Sequence, residues 1–500
     1  MSTLKKFAGQ TAVYGLSTII SRLFNFFLTP VYVSVYPTTV FGILTKMFTW
    51  ASVFNALLSF GMETTFFRYL NKYEGNKQKV FNNAFLTIAF ISVLFFTGTF
   101  LFVDDIAEWL QQGSVQATAD YRQYVRYFIF ILIVDALAVI PFAKLRAEGR
   151  PGRYAVVKFL NILINVVLNL IFIYAIPYIL HHDLHGASLV AGFREGWVGY
   201  VFIAQLVANI LTLIILLPEM LQLQLNFDWP FVSEMLAYSF PVLVANFSFI
   251  INETSDKIFL GHLLPSKIAD QQVGIYGACA KIAIFLNIFI QAFRLGAEPF
   301  FFNQAKNKNS GEMYARIMDY FIIVVSIIFV AIAANIEIFK YFIRGKDPIQ
   351  QQLYWSGLRV VPLLLFGYVS LGIYMNLSIW YKLSDQTKYG LYISGAGAII
   401  TIVLNLIYIP KYSYMAAAWV SLIAYTSMMV LSYILGQKNY PIPYNLKKNL
   451  LYLIVAVVIV FLSFQIFAGN LIAGNILLTL FVAGILFVER SELKLLLKRK

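Results

Sequence analysis

The chain has 500 residues, 60% of them hydrophobic and only 12% charged, with a mean hydropathy of +0.74. Such a composition cannot be arranged around soluble cores, so most of its surface must face lipid. The formal net charge of +14 falls in short clusters between apolar runs, which is the distribution of membrane topology signals and excludes a nucleic-acid partner.

Runs long enough to cross about 30 Å of hydrocarbon lie at 11–33, 40–62, 81–103, 123–144, 154–176, 197–218, 231–253, 273–297, 317–340, 358–381, 389–409, 414–436, 447–467 and 470–488. They predict an all-α membrane protein of about 14 transmembrane helices. Lys5 and Lys6 ahead of the first run resemble the start of a signal peptide, but Arg22 interrupts the run and no small-residue cleavage site follows, so it is read as the first helix. With both termini in the cytoplasm, Arg68, Lys72, Lys77 and Lys79, then Lys144, Arg146, Arg150 and Arg153, then the tail Lys498, Arg499 and Lys500 all fall inside. The acidic loop from Asp104 to Asp120 falls outside. Two loops run against the trend: inside, Glu219 to Asp228 lacks bases, and outside, Lys340, Arg344 and Lys346 gather. The expected location is the inner (cytoplasmic) membrane, crossed many times.

An internal repeat relates the fourth and fifth spans to the tenth and eleventh. Lys144-Leu145, Arg153-Tyr154 and Val167-Leu168-Asn169-Leu170-Ile171 recur as Lys382-Leu383, Lys388-Tyr389 and Val403-Leu404-Asn405-Leu406-Ile407. The offset covers an even number of spans, so the copies run parallel and predict two pseudo-symmetric six-helix bundles, residues 1–218 and 219–436. Residues 437–500, after Pro441-Ile442-Pro443, hold two additional helices and a basic tail.

The sequence resembles the multidrug, oligosaccharidyl-lipid and polysaccharide exporter superfamily, and within it the polysaccharide biosynthesis flippases. In the first half the resemblance rests on Ser21-Arg22-Leu23, Thr29-Pro30, Val40-Phe41-Gly42-Ile43 and Gly61-Met62-Glu63. It continues through Phe240-Pro241-Val242-Leu243, Ser255-Asp256-Lys257-Ile258-Phe259-Leu260-Gly261 and Val273-Gly274-Ile275-Tyr276 to Met415-Ala416-Ala417-Ala418. It implies a carrier, not an enzyme, that moves polyprenyl-diphosphate-linked oligosaccharide from the cytoplasmic to the outer leaflet by alternating access, for a surface polysaccharide such as O-antigen of lipopolysaccharide. The implied partners are the lipid-linked oligosaccharide, the bilayer, a coupling proton or sodium ion, and polysaccharide assembly enzymes.

Charges inside the membrane cost at least about 2.5 kcal/mol at its centre, so they mark function or a buried pair. Arg22, near mid-depth of the first span, is the leading candidate for binding the diphosphate, with Lys46, Lys281, Arg294 and Arg359 completing a cationic cavity. All but Lys281 have a plainer alternative: Arg22 can pair with Asp135 or Glu63, Lys46 can snorkel, and Arg294 and Arg359 can anchor at the interface. Asp135 and Glu63 are candidates for ion coupling. Glu253, Asp256 and Lys257 share a stretch of helix and are expected to form structural ion pairs.

Other chemistry is disfavoured. His181, His182, Asp183 and His185 resemble a metal cluster, but two are adjacent and no further ligands join them, so neither metal nor cofactor is expected. Gly345-Lys346 is followed by Asp347 and lacks the upstream glycine of a nucleotide loop. The lone Cys279 excludes an internal disulfide. A multidrug or cation antiporter of the same superfamily is the alternative function. A polysaccharide polymerase or ligase is a second, which outside loops of only about 20 residues disfavour.

Overall fold

A computed structural model describes residues 20, 23–24, 26–111, 114, 116–182, 192–304, 310–384, 386–467 and 469–490. All regular structure among them is helical. Among the described residues, eleven helices are long and apolar enough to cross a membrane. Their outward faces carry large apolar side chains, among them Phe90, Val93, Ile454, Ile472 and Leu480, each more than half exposed. A polar solvent would penalise that surface, and a bilayer does not.

The chain divides into two compact units, Met1–Gly274 and Ile275–Lys500. The first contains α1 (Phe26–Val35), α2 (Thr38–Ser59), α3 (Met62–Lys72), α4 (Lys77–Leu101), α5 (Val103–Gln111), α6 (Thr118–Ala147), α7 (Pro151–His181), α8 (Gly199–Ile215) and α9 (Trp229–Leu263). The expected span 11–33 is met by α1 at its described end. The expected span 197–218 is met by α8, whose 17 residues rise about 25 Å, short of a full hydrocarbon crossing.

Local chemistry sets the breaks. Phe60 and Gly61 adopt left-handed φ values of 48° and 66°, ending α2 and starting α3. Gly61 is fixed there for a second reason: a Cβ on it would lie 3.0 Å from the carbonyl oxygen of Ser239 and from Val242. The Ser239 hydroxyl donates to the Phe60 carbonyl across the same contact. Asn76 caps α4 through the Lys79 amide, and Asp228 caps α9 through the Phe231 amide. Lys79 also binds Asp228, and that bond holds the Asp228 carboxyl below the usual carboxylate range.

The division between units falls within α10 (Ser266–Gln304). Ile275–Lys500 continues with α11 (Ser310–Ala334), α12 (Pro348–Leu383), α13 (Lys388–Asn439), α14 (Leu446–Ile466) and α15 (Leu471–Val488). The 52 residues of α13 are two expected spans joined, and Ser413, at φ 52° and ψ −140°, is the break between them. The last two helices dock on α11: Asn449 donates to Asp319 at 2.8 Å, and Asn335 and Asn475 exchange amide hydrogen bonds. Lys448 and Tyr452 hold the buried Glu489. Cys279 is buried, with its thiol donating to the Tyr354 carbonyl.

Candidate functional site

Polar side chains in the first unit gather at two depths. α2, α6 and α7 each have one end beside the turns that carry Arg146, Arg150 and Arg153. In that half of the unit lies a cavity of about 650 Å³, bounded by Asn55, Ser59, Glu63, Asp135, Phe142, Tyr154, Lys158, Asn246 and Phe249. Hydroxyls, amides, rings and charges share its wall, a lining suited to an amphiphilic ligand. Glu63 is occupied by an ion pair with Arg146.

Asp135 is positioned by a chain of amides. Asn209 donates to one carboxylate oxygen at 2.8 Å and Asn55 approaches the other at 3.5 Å. Gln205 donates to Asn209, Asn165 to Gln205, and Asn169 to Asn165, at 2.7 to 2.8 Å, and the Tyr32 hydroxyl closes the series by donating to Asn169 at 3.0 Å. The chain thus runs from α6 through α8 and α7 to α1. An amide without a partner in the apolar interior is costly, so each link fixes the next. The sequence carries a signal for it: Asn161, Asn165 and Asn169 recur every four residues on one face of α7, opposite Gln205 and Asn209.

A second polar group lies nearer the other end of α2. The Lys46 ammonium, 4% exposed, binds Asp270 at 2.8 Å and the Leu110 carbonyl at 2.9 Å. Leu110 lies in the last turn of α5, where carbonyls lack helical partners and the helix dipole favours a cation. Beside this pair α2 and the start of α10 touch backbone to backbone: a Cβ on Gly42 would lie 1.7 Å from the Asp270 carbonyl oxygen, and one on Gly274 1.9 Å from that of Thr38. Trp109 stacks on His262 with centroids 4.3 Å apart, and Trp50 packs edge-on against both.

The residues anticipated from sequence are therefore dispersed. Arg22 lies outside the described residues. Lys46 is buried in an ion pair away from the cavity; it neither snorkels nor lines the cavity, because Asp270 reaches it inside. Glu63 and Asp135 share the cavity wall. Lys257 pairs with Asp256 at 3.0 Å and reaches the Glu253 backbone carbonyl at 3.5 Å. In the second unit Arg294 lines a narrow cleft with Phe293, Phe321, Met375, Asn376 and Lys382. Lys281 is half-buried in α10, and Arg359 is exposed on a short 3-10 turn, Gly357–Val360. His181 contacts Glu195 and His182 stacks on Tyr178, while Asp183 and His185 lie outside the described residues. Lys158, Asn209 and Asp270 are the members that sequence reading passed over.

The fold is shared with solved structures. The lipid II flippase MurJ, in an inward closed conformation, matches with a TM-score of 0.71 at 11% identity, over 96% of this chain and 100% of that one. An inward-facing multidrug resistance MATE family transporter of the MOP superfamily matches at 0.64 and 14% identity, over 84% and 94%. A MOP superfamily transporter from Pyrococcus furiosus with a binding pocket of reverse polarity matches at 0.57 and 15%, over 86% and 95%. No curated protein matches the sequence. The MatE family model covers residues 241–407, and the Polysaccharide biosynthesis protein model covers residues 7–297, more than half of the chain.

Fold and family models together define a multi-pass membrane protein with the fold of the MOP superfamily transporters. Within that class the chain belongs to the polysaccharide biosynthesis protein family.

Proposed function

We propose that this transporter flips a polyprenyl-diphosphate-linked oligosaccharide from the cytoplasmic to the outer leaflet of the inner membrane by alternating access. The carrying observation is the 650 Å³ cavity of polar and aromatic side chains within the membrane-spanning part of the first unit. Its half of the unit bears the basic loops, so the positive-inside rule makes that end cytoplasmic. The end that holds the Lys46–Asp270 pair then faces outward, and the cavity is placed to load from the cytoplasm. A sugar headgroup needs amide, hydroxyl and ring contacts to replace water, whereas the polyprenyl tail can stay in lipid. Family membership supports the polysaccharide assignment, and the fold shared with the lipid II flippase MurJ supports flipping. Arg22, Lys281, Arg294 and Arg359 remain proposed cationic contacts, and a proton or sodium ion acting at Asp135 is the proposed coupling.

Cells lacking the protein should accumulate lipid-linked oligosaccharide accessible only from the cytoplasmic side. Single repeat units collecting on the outer face would instead indicate a lost polymerase. The MatE match and the intramembrane Asp135 favour one second reading, a multidrug or cation antiporter. It expects lost drug resistance in the same cells, with surface glycan intact.

A further inference from the structure

We propose that Lys158 is the anion-binding residue of the first-unit cavity, taking a phosphate-class group of the ligand. Calling that group a lipid diphosphate rests on the flippase reading above; the anion site itself rests on geometry.

Lys158 lies seven residues after Pro151, the first residue of α7, or about 10 Å along the helix. A lysine at that depth could extend its ammonium towards the interface. Here the ammonium instead sits 4.3 Å from the centroid of the Phe142 ring, on the cavity wall. The ring face offers electrostatic attraction and leaves the three N–H donors unspent. Among the described residues the ammonium makes neither a hydrogen bond nor an ion pair.

Its basic neighbours differ in this respect. Arg146 binds Glu63, Arg150 and Arg153 bind the buried Glu219, and Lys144 donates to Gln222 at 2.6 Å. Asp135 bounds the same cavity, but its oxygens are taken by Asn209 and approached by Asn55, and its carboxylate makes no ion pair with Lys158. A cation kept in the membrane interior without a bonded counter-charge is costly, so an arriving anion gains what the empty site lacks. Lysine suits a flexible diphosphate because its ammonium is a compact point charge with rotatable donors. Asn55, Asn246 and Ser59 on the same wall can serve attached sugar hydroxyls.

The test uses purified full-length protein and three probes: polyprenyl diphosphate, uncharged polyprenol and inorganic diphosphate. Wild type should bind polyprenyl diphosphate more tightly than polyprenol. Lys158→Gln should weaken binding of the diphosphate lipid roughly tenfold or more, as expected for a lost charge-assisted hydrogen bond. Polyprenol binding should stay unchanged, and Lys158→Arg should keep most of the affinity. If inorganic diphosphate competes in wild type and not in Lys158→Gln, the site reads the anion alone; if it does not compete while the lipid effect holds, the site reads a lipid headgroup. Both support the proposal. Because the variant removes an unpaired interior charge, its melting temperature should equal or exceed that of wild type. Undiminished binding by Lys158→Gln overturns the proposal, as does failure of that variant to fold, which would make the lysine structural. Undiminished binding with cytoplasmic accumulation in depleted cells overturns Lys158 alone. Weakened binding without such accumulation overturns the flippase reading alone.

Discussion

Asp135 occupies a position where a proton or cation can be exchanged with the cavity, since its carboxylate bounds open space while neutral amides, not a bonded cation, hold its oxygens. Asp135→Asn keeps the size and one hydrogen-bonding oxygen but removes the charge. Transport by this variant should lose its dependence on an ion gradient while the protein remains folded, as read in vesicles with and without an imposed gradient. Retained dependence in both Asp135→Asn and Glu63→Gln would remove these acids from coupling. Arg22 is tested by charge against geometry: Arg22→Lys should keep partial activity and Arg22→Ala should nearly abolish it without lowering the melting temperature. A structural arginine would instead lower stability and activity together. At this scale the apolar context made Asp135 and Lys46 conspicuous in the sequence. The partner of Lys46 was not legible, because Asp270 lies 224 residues away and only the folded chain brings them together. Lys158 escaped notice because it stands near the beginning of its span, where snorkelling accounts for a lysine equally well.

Between elements, contact of α2 with the start of α10 depends on small residues and one buried ion pair. Gly42→Ala would push a methyl group into the Asp270 carbonyl, so the helices must separate. Its cost should be at least the roughly 1–3 kcal/mol of an overpacked core, seen as a lower melting temperature. Lys46→Met should be more severe, about 3–5 kcal/mol, because Asp270 is left buried and uncompensated. The double variant Lys46→Met/Asp270→Leu should recover most of that loss; if it melts no higher than Lys46→Met, the two charges are not coupled. Hydrophobic run length placed the helices well, since the bilayer fixes how much apolar sequence a crossing needs. The break at Ser413 falls in the short gap between the runs 389–409 and 414–436, so run length marks its place, whereas the positive φ that makes it leaves no compositional mark. The amide ladder through Asn165, Asn169, Gln205 and Asn209 was readable in principle, from polar residues repeating at helical spacing within apolar text.

For the whole molecule, orientation and two-fold organisation are the proposals with the widest consequences. Cys279 is buried, so single cysteines introduced at exposed sites can report sidedness without background. Glu195→Cys should react in intact cells with a membrane-impermeant thiol reagent, and Gly75→Cys should react only after the membrane is opened. The reverse pattern would invert the topology and the direction of loading with it. The parallel halves 1–218 and 219–436 predict that reporters in the loops near Asn226 and Asn439 lie on the same side. An inverted repeat would place them on opposite sides. The central claim is movement of a lipid-linked sugar between leaflets. It is tested most directly by reconstituting the purified protein into vesicles carrying a fluorescent polyprenyl-diphosphate oligosaccharide and adding an impermeant quencher. Wild-type vesicles should lose fluorescence beyond the share already in the outer leaflet, as lipid from the inner leaflet becomes accessible. Protein-free vesicles should lose only that share. Quenching confined to the outer-leaflet share in vesicles that contain folded wild-type protein and the required ion gradient would contradict the account.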